Sequence, residues 1–152
     1  MSDAGGKDDA GESTYVKPDV TLYGAEHIRQ YRETDGEVGH IWNGAPCLIL
    51  TSRRKNGEIR EVPLIYGMAD GNPVIVASKG GTPEDPFWYM DLKRTPQAKV
   101  QILGEVFDVT AHTATADEKP ALWAAMTEIW PDYDDYQSNT DRDIPVVVLQ
   151  RT

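Results

Sequence analysis

Apolar residues recur at helical spacing at Leu22, Ala25, Ile28 and Tyr31, which predicts a helix over Leu22 to Thr34 that Asp35-Gly36 ends. Ala45 to Ser52 is a short apolar run of the kind a buried strand needs. Asn56-Gly57 follows it and predicts a type I′ hairpin turn, because both central residues of that turn need positive φ. The return strand runs from Glu58 to Gly67, and Pro63 within it predicts an edge or a bulge, since proline donates no ladder bond. After the turn signal Asp70-Gly71, Pro73 to Ser78 reads as a third strand.

Lys79-Gly80-Gly81-Thr82-Pro83 is a loop, and the next helix is expected to start with Asp85 as N-cap and Pro86 at its first position. It passes through Trp88 and Leu92 and stops before Pro96. Ala98 to Leu103 and Val106 to Thr113 predict two more strands with a tight turn near Gly104. Thr115 and Glu118 resemble a capping box, but a start there would carry Pro120 beyond the free first turn, so the last helix is placed from Asp117. Its stripe is Leu122, Met126 and Ile129, and Pro131 ends it. A polar, tyrosine-bearing loop over Asp132 to Asp143 leads to a last strand, Ile144 to Gln150.

The resulting order, α-βββ-α-ββ-α-β, lacks the alternating βα units of a doubly wound sheet. It predicts an α+β fold: a partly open barrel of about six mainly antiparallel strands flanked by helices. Residues 1–18, rich in Gly, Asp, Ser and Lys, read as a flexible acidic arm, residues 19–37 as an N-terminal helix, and residues 38–152 as the barrel domain.

The chain has 152 residues, enough for one domain, and 39% hydrophobic content, enough for a core. A net charge of −10 argues against nucleic-acid partners and anionic membranes, which need a broad basic face. Residues 1–37 carry net −5 and residues 100–152 net −7, while residues 38–99 carry net +2. That positive island suits a small anion. A single cysteine excludes an internal disulfide and a cysteine-based zinc site, and points to a reducing cytoplasm. No apolar stretch is long enough to span a membrane, and the acidic start has no signal-peptide core.

Common catalytic signatures are missing: there is no nucleophile elbow, P-loop or dinucleotide fingerprint, and His27, His40 and His112 form no metal pair. No metal is expected. Cys47 sits in an apolar run, as a buried hydrophobe does. Two loops stand out, Arg53 to Gly57 and Ser78 to Gly81, because each joins cations to glycines that bare backbone N–H groups to an anion. Trp130, Tyr133 and Tyr136, interleaved with aspartates, are placed to line a site for a flat organic molecule.

Arg54-Lys55-Asn56-Gly57, Val62-Pro63-Leu64, Ala77-Ser78-Lys79-Gly80-Gly81 and Pro86-Phe87-Trp88-Tyr89 with Leu92 resemble, in that order, motifs of the deazaflavin-dependent nitroreductase family. Tyr133 to Gln137, Thr140-Asp141-Arg142 and Ile144-Pro145-Val146 are similar to the same family, so the resemblance spans about residues 38–152. It is nearest to the subgroup of F420H2-dependent quinone reductases that activate nitroimidazole prodrugs. The resemblance implies a split β-barrel like that of FMN-binding proteins, and coenzyme F420 as cofactor. It implies that Arg54, Lys55, Asn56 and Lys79 meet the phosphate and glutamate tail of F420, with Phe87, Trp88, Tyr89, Met90 and Asp91 completing the tail site. Arg60, Glu61, Val62, Pro63, Leu64 and Ile65, with Val76, Ala77 and Ser78, would border the deazaflavin ring. Tyr133 would contact both coenzyme and acceptor, with Tyr66, Trp130 and Tyr136 on the acceptor side, and Tyr133 or Ser78 would donate or orient a proton. Trp130 stands where tyrosine is expected in the nearest relatives, which bears on acceptor preference. The implied activity is hydride transfer from F420H2 to a quinone, nitro or other conjugated acceptor. A non-catalytic F420-binding or storage protein and an FMN-binding split-barrel oxidoreductase are the alternatives. The N-terminal segment of that subgroup associates with membranes, but the arm here carries none of the resemblance, which leaves a cytoplasmic protein with at most peripheral contact at the inner face of the cell membrane.

Overall fold

A computed structural model describes residues 22–152, so the expected arm over 1–18 lies outside the described residues. The first helix is α1 (Gly24–Glu33), followed by β1 (Ile41–Trp42), β2 (Ala45–Arg53), β3 (Ile59–Ile65), β4 (Gly67–Ala69) and β5 (Asn72–Val76). A 3-10 turn over Lys79–Gly81 leads to α2 (Phe87–Arg94), β6 (Gln97–Ile102) and β7 (Glu105–Thr113). Then come α3 (Lys119–Ile129), α4 (Asp132–Ser138) and β8 (Val146–Arg151).

Every described strand pairing is antiparallel. The sheet runs β2-β6-β7-β8-β5-β4, with β3 on the far side of β2 and the stub β1 beside β2's start. Its two edges, β3 and β4, are consecutive in the chain and joined by Tyr66 alone. The sheet therefore has to curl until those edges meet, and what results is a barrel split along one seam. Pro63 sits on the β3 edge as expected, opposite Ile49.

The runs Cys47–Leu50, Val74–Val76 and Val146–Val147 do not alternate because both faces of these strands are covered. Leu48, Leu50, Ile75, Val147 and Leu149 point into the barrel, whose end α2 plugs with Trp88, Tyr89 and Leu92. Val74, Val76 and Val146 point outward beneath Met126 of α3 and Tyr133 of α4. Gly67 lets α3 lie close, since a Cβ there would come within 2.8 Å of the Met126 sulfur.

Several local expectations are corrected. Asn56-Gly57 is not a type I′ turn: only Gly57 has positive φ (92°), and the Gly57 N–H donates to Arg54 O (2.9 Å) within a longer loop. The geometry is a turn followed by a left-handed glycine. Type I′-like pairs of positive φ occur instead at Asp70-Gly71 (53° and 82°) and at Asn43-Gly44 (50° and 82°). The latter closes the unexpected β1–β2 hairpin. The strand expected over Glu58 to Gly67 breaks at Tyr66, where pairing passes from β2 to β5. Pro86 rather than Asp85 caps α2, because Asp85 binds Arg142 (3.0 Å). The last long helix starts at Lys119 rather than Asp117, and Thr115 and Glu118 do make the reciprocal bonds of a capping box, in the turn just ahead of it. Residues 132–138 are helical rather than a wet loop. Asp132, Asp134 and Asp135 complement the N-terminal end of α4, while Tyr133 and Tyr136, three apart, face the protein.

Tyr31 fastens α1 to the barrel from a fully buried position. Its hydroxyl donates to Cys47 O (2.9 Å) and accepts from the Leu103 N–H (2.9 Å), at a turn where Leu103 has φ 54°. Burial above all, with the Tyr66 hydroxyl and the Cys47 thiol nearby, pushes this phenol up to about 12. Tyr31→Phe leaves both partners unmet, so it should lower unfolding free energy by about 1–3 kcal/mol. Thermal denaturation followed by circular dichroism should show Tm falling by roughly 2–10 °C.

Candidate active site

The split between β3 and β5 opens into a cleft of about 440 Å³. Pro63, Leu64 and Ile65 form one wall, and Val76 with Ser78, Lys79 and Gly80 the other. Trp88 and Cys47 lie at its base, and Tyr133 of α4 overhangs it. Leu22, Tyr23 and Gly24 at the start of α1, His27, and Trp42 of β1 complete the mouth. The volume and the apolar lining with a few polar groups are those of a small-molecule site.

The polar end of the cleft is a backbone concavity. Ser78 is right-handed (φ −80°, ψ −40°), while Lys79 (φ 46°) and Gly80 (φ 64°) are left-handed. A right-handed residue followed by a left-handed one turns successive N–H groups toward a common point, which makes an anion nest. Lys79 adds a charge there. Next to it, Phe87 is an exposed ring flanked by Arg60 (5.2 Å) and Lys79 (5.5 Å) over its centroid. Gly81 (φ 82°) lies against α4, where a Cβ would come within 2.5 Å of Tyr136 O.

Asp91 underlies the cationic rim and is only 3% exposed. It accepts from Arg60 (2.7 Å), Arg94 (2.9 Å) and Ser52 (3.2 Å). Burial opposes its charge, but the bonds from Arg60 and Arg94 outweigh it and hold the carboxyl below its ordinary value.

Tyr133 is 4% exposed, and its hydroxyl has no hydrogen-bond partner among the described residues. Burial raises its pKa well above that of an ordinary phenol. Burial also pushes the Cys47 thiol up to about 12. Each histidine has a structural partner: His27 bonds Gly39 O (2.8 Å), His40 the Tyr66 hydroxyl (3.0 Å) and His112 a Glu118 oxygen (2.8 Å).

Of the residues named from the sequence, the cleft gathers Pro63, Leu64, Ile65, Val76, Ser78, Lys79, Trp88 and Tyr133. Arg60, Phe87 and Asp91 form its rim. Ala77 lies fully buried behind the nest. Tyr89 turns into the barrel with its hydroxyl on Thr113, and Met90 lies on the outer side of α2. Arg54, Glu61 and Val62 face a separate shallow groove against α1, and Lys55 and Asn56 are exposed at the hairpin tip. Tyr66 is buried against His40. Trp130 and Tyr136 stand behind the lining: Trp130 packs on Trp42 (centroids 6.0 Å apart), and its indole N–H donates to the Tyr136 hydroxyl (3.3 Å).

The lining residues that sequence reasoning missed include Tyr23, Trp42, Cys47, His27 and the start of α1. Asn43-Gly44, the same hairpin dipeptide as Asn56-Gly57, was the signal that would have found Trp42. Arg142 was visible only as part of a motif. Its guanidinium donates to Thr82 O (2.8 Å), Ala77 O (3.1 Å), Ser78 O (2.7 Å) and the Asp85 carboxylate (3.0 Å). Among the described residues no group of three or more His, Cys, Asp or Glu is placed to hold a metal ion.

A family model described as F420H(2)-dependent quinone reductase matches residues 24–151. An F420H(2)-dependent quinone reductase of Mycobacterium tuberculosis is 38% identical over 130 residues, covering 82% of this chain and 87% of that protein. A solved F420-H2 dependent reductase (FDR-A) superposes with TM-score 0.65 at 37% identity, over 69% of this chain and 94% of its own. A structure titled as a domain-swapped dimer superposes with TM-score 0.68 at 35% identity, over 82% of this chain and 92% of its own.

The Asp91 hub gives the rim a pH signature. A carboxyl held below its ordinary value contributes stability that is complete above about pH 5 and is lost as pH falls through its folded pKa. Asp91→Asn should therefore cost about 1–3 kcal/mol at pH 7 and less at pH 3. Urea unfolding at the two pH values checks this.

Proposed function

The chain belongs to the F420H(2)-dependent quinone reductase family, and on that footing we propose that the seam cleft seats F420H2 and a quinone for hydride transfer between them. The observation that carries this placement is the junction of an apolar slot with a backbone nest beside Lys79. A flat ring with an anionic, carboxylated tail needs both. The slot takes the ring between Pro63–Ile65 and Val76, and the nest, Lys79 and Arg60 take the near part of the tail. Arg54, Lys55 and Asn56 lie further out and reach only the far end of a long tail.

When bound, the reduced deazaflavin supplies the hydride. The chain supplies placement and a proton. With its pKa raised, the Tyr133 hydroxyl stays protonated across the physiological range, and its proton is uncommitted among the described groups. In this reading it donates to the acceptor oxygen, and Ser78, at the nest, orients the ring; both line the cleft. A buried proton donor facing the cleft favours catalysis over storage. Trp42 offers the acceptor its ring, while Trp130 and Tyr136 brace Trp42 from behind. Among the described residues no helix is long and apolar enough to cross a membrane. Peripheral contact through the mouth is supported by Tyr23, a residue 63% exposed there.

Absorbance titration should show F420 binding at least about tenfold tighter than FMN, whose tail leaves part of the cationic rim unused. FMN affinity equal to or above that of F420 overturns the coenzyme assignment.

Tyr133→Phe should lower quinone turnover with the F420 dissociation constant unchanged within a few-fold. Trp42→Ala should raise the quinone KM, and Trp130→Ala should do so less, because it acts through Trp42. Steady-state kinetics with F420H2 separates these outcomes. A Tyr133→Phe enzyme of parental turnover would remove the phenol from the proton path.

A further inference from the structure

Arg142 is not among the cleft-lining residues, yet it is bound at several points to the loop that forms the nest. Its side chain is 15% exposed, and its guanidinium engages three carbonyls of the Ala77–Asp85 segment together with the Asp85 carboxylate. In a trans peptide unit the C=O and the following N–H point in opposite directions. Drawing the Ala77 and Ser78 carbonyls toward Arg142 therefore turns the Ser78 and Lys79 N–H groups away from it, toward the cleft side. These are two of the donors of the nest. The same clamp holds Lys79 at φ 46°, a conformation that is strained for a residue with a side chain.

Arg142 is itself fixed to α4. Gln137 donates from its side-chain amide to Arg142 O (2.8 Å) and accepts the Ile144 N–H (3.0 Å). On the other side, Gly81 of the nest loop carries the Tyr136 backbone. The nest and the helix bearing Tyr133 are thus one braced unit with Arg142 at its centre. A lysine could satisfy only part of this set, because its charge is a point and not a planar fork.

We propose that Arg142 is a positioning residue for the coenzyme: it holds the Ser78–Gly80 backbone in its anion-receiving conformation and binds no ligand itself. The proposal rests on the F420 reading above, and its test has one arm that does not. In the unliganded protein, Arg142→Lys should speed hydrogen exchange at the Gly81 and Thr82 amides, which close the turn on Ser78 O (2.9 Å) and Lys79 O (3.3 Å). In fluorescence titration Arg142→Lys should bind F420 at least about tenfold more weakly than the parent. Arg142→Ala should be weaker still, and free guanidinium ion should restore part of its affinity, which a merely structural loss would not allow. Should Arg142→Ala fail to fold, Asp85→Asn takes its place, with a smaller loss of affinity in the same direction. Parental F420 affinity in Arg142→Lys overturns the proposal, as does unchanged exchange at Gly81 and Thr82. If the parent itself fails to bind F420, the coenzyme reading falls, and the exchange arm alone decides whether Arg142 holds the loop.

Discussion

The two edges of the sheet are successive strands with one residue between them. β3 ends at Ile65, β4 begins at Gly67, and the chain crosses at Tyr66 from pairing with β2 to pairing with β5. No flat arrangement of the sheet satisfies that connection. The barrel, the double-faced burial of β2, β5 and β8, and the placement of α2 as a plug follow from closure. So does the site, because β3 and β5 approach along the seam without a described pairing and the cleft occupies that gap.

The large features were legible because each rests on a local signal with one reading. Helical spacing at Leu22 to Tyr31, the double-faced apolar runs and the proline at an edge position carried the architecture. The local misreadings have separate causes. Asp85 is a good N-cap residue, but its carboxylate is taken by Arg142. Asn56-Gly57 is a good type I′ pair, yet here the loop is longer than two residues, as Arg54 bonds Glu58 O (2.7 Å). Residues 132–138 look wet because the aspartates dominate, and only the three-residue spacing of Tyr133 and Tyr136 betrays an inward face.

Most motif residues that line the slot lie on strands and the adjoining turn, whose register the pattern fixes, while Trp88 and Tyr133 reach it from α2 and α4. What the sequence could not disclose is the support behind them. Asp91 and Arg142 are both charged residues that act inward: one draws Arg60 and Arg94 into place, the other orients peptide groups. Neither shows a hydrophobic periodicity, and each reaches far along the chain, Asp91 to Arg60 and Arg142 to Ser78. Trp42 was hidden for a different reason, since a two-residue strand is too short for any pattern.

The joint at Tyr66 also makes the cleft a gauge. With β3 and β4 tied by one residue, and β4 laddered to β5, the two walls are joined at their Tyr66 end and cannot part there without breaking that ladder. Thickness at that end is therefore the gauged dimension, and under the proposed placement a flat ring suits the slot better than a puckered one. Length is not measured, because the mouth opens past Tyr23 to solvent. Under the proposed placement, long substituents on a planar head trail outward there, and the rings at the mouth, Tyr23 and Trp42, are where acceptor range is tuned.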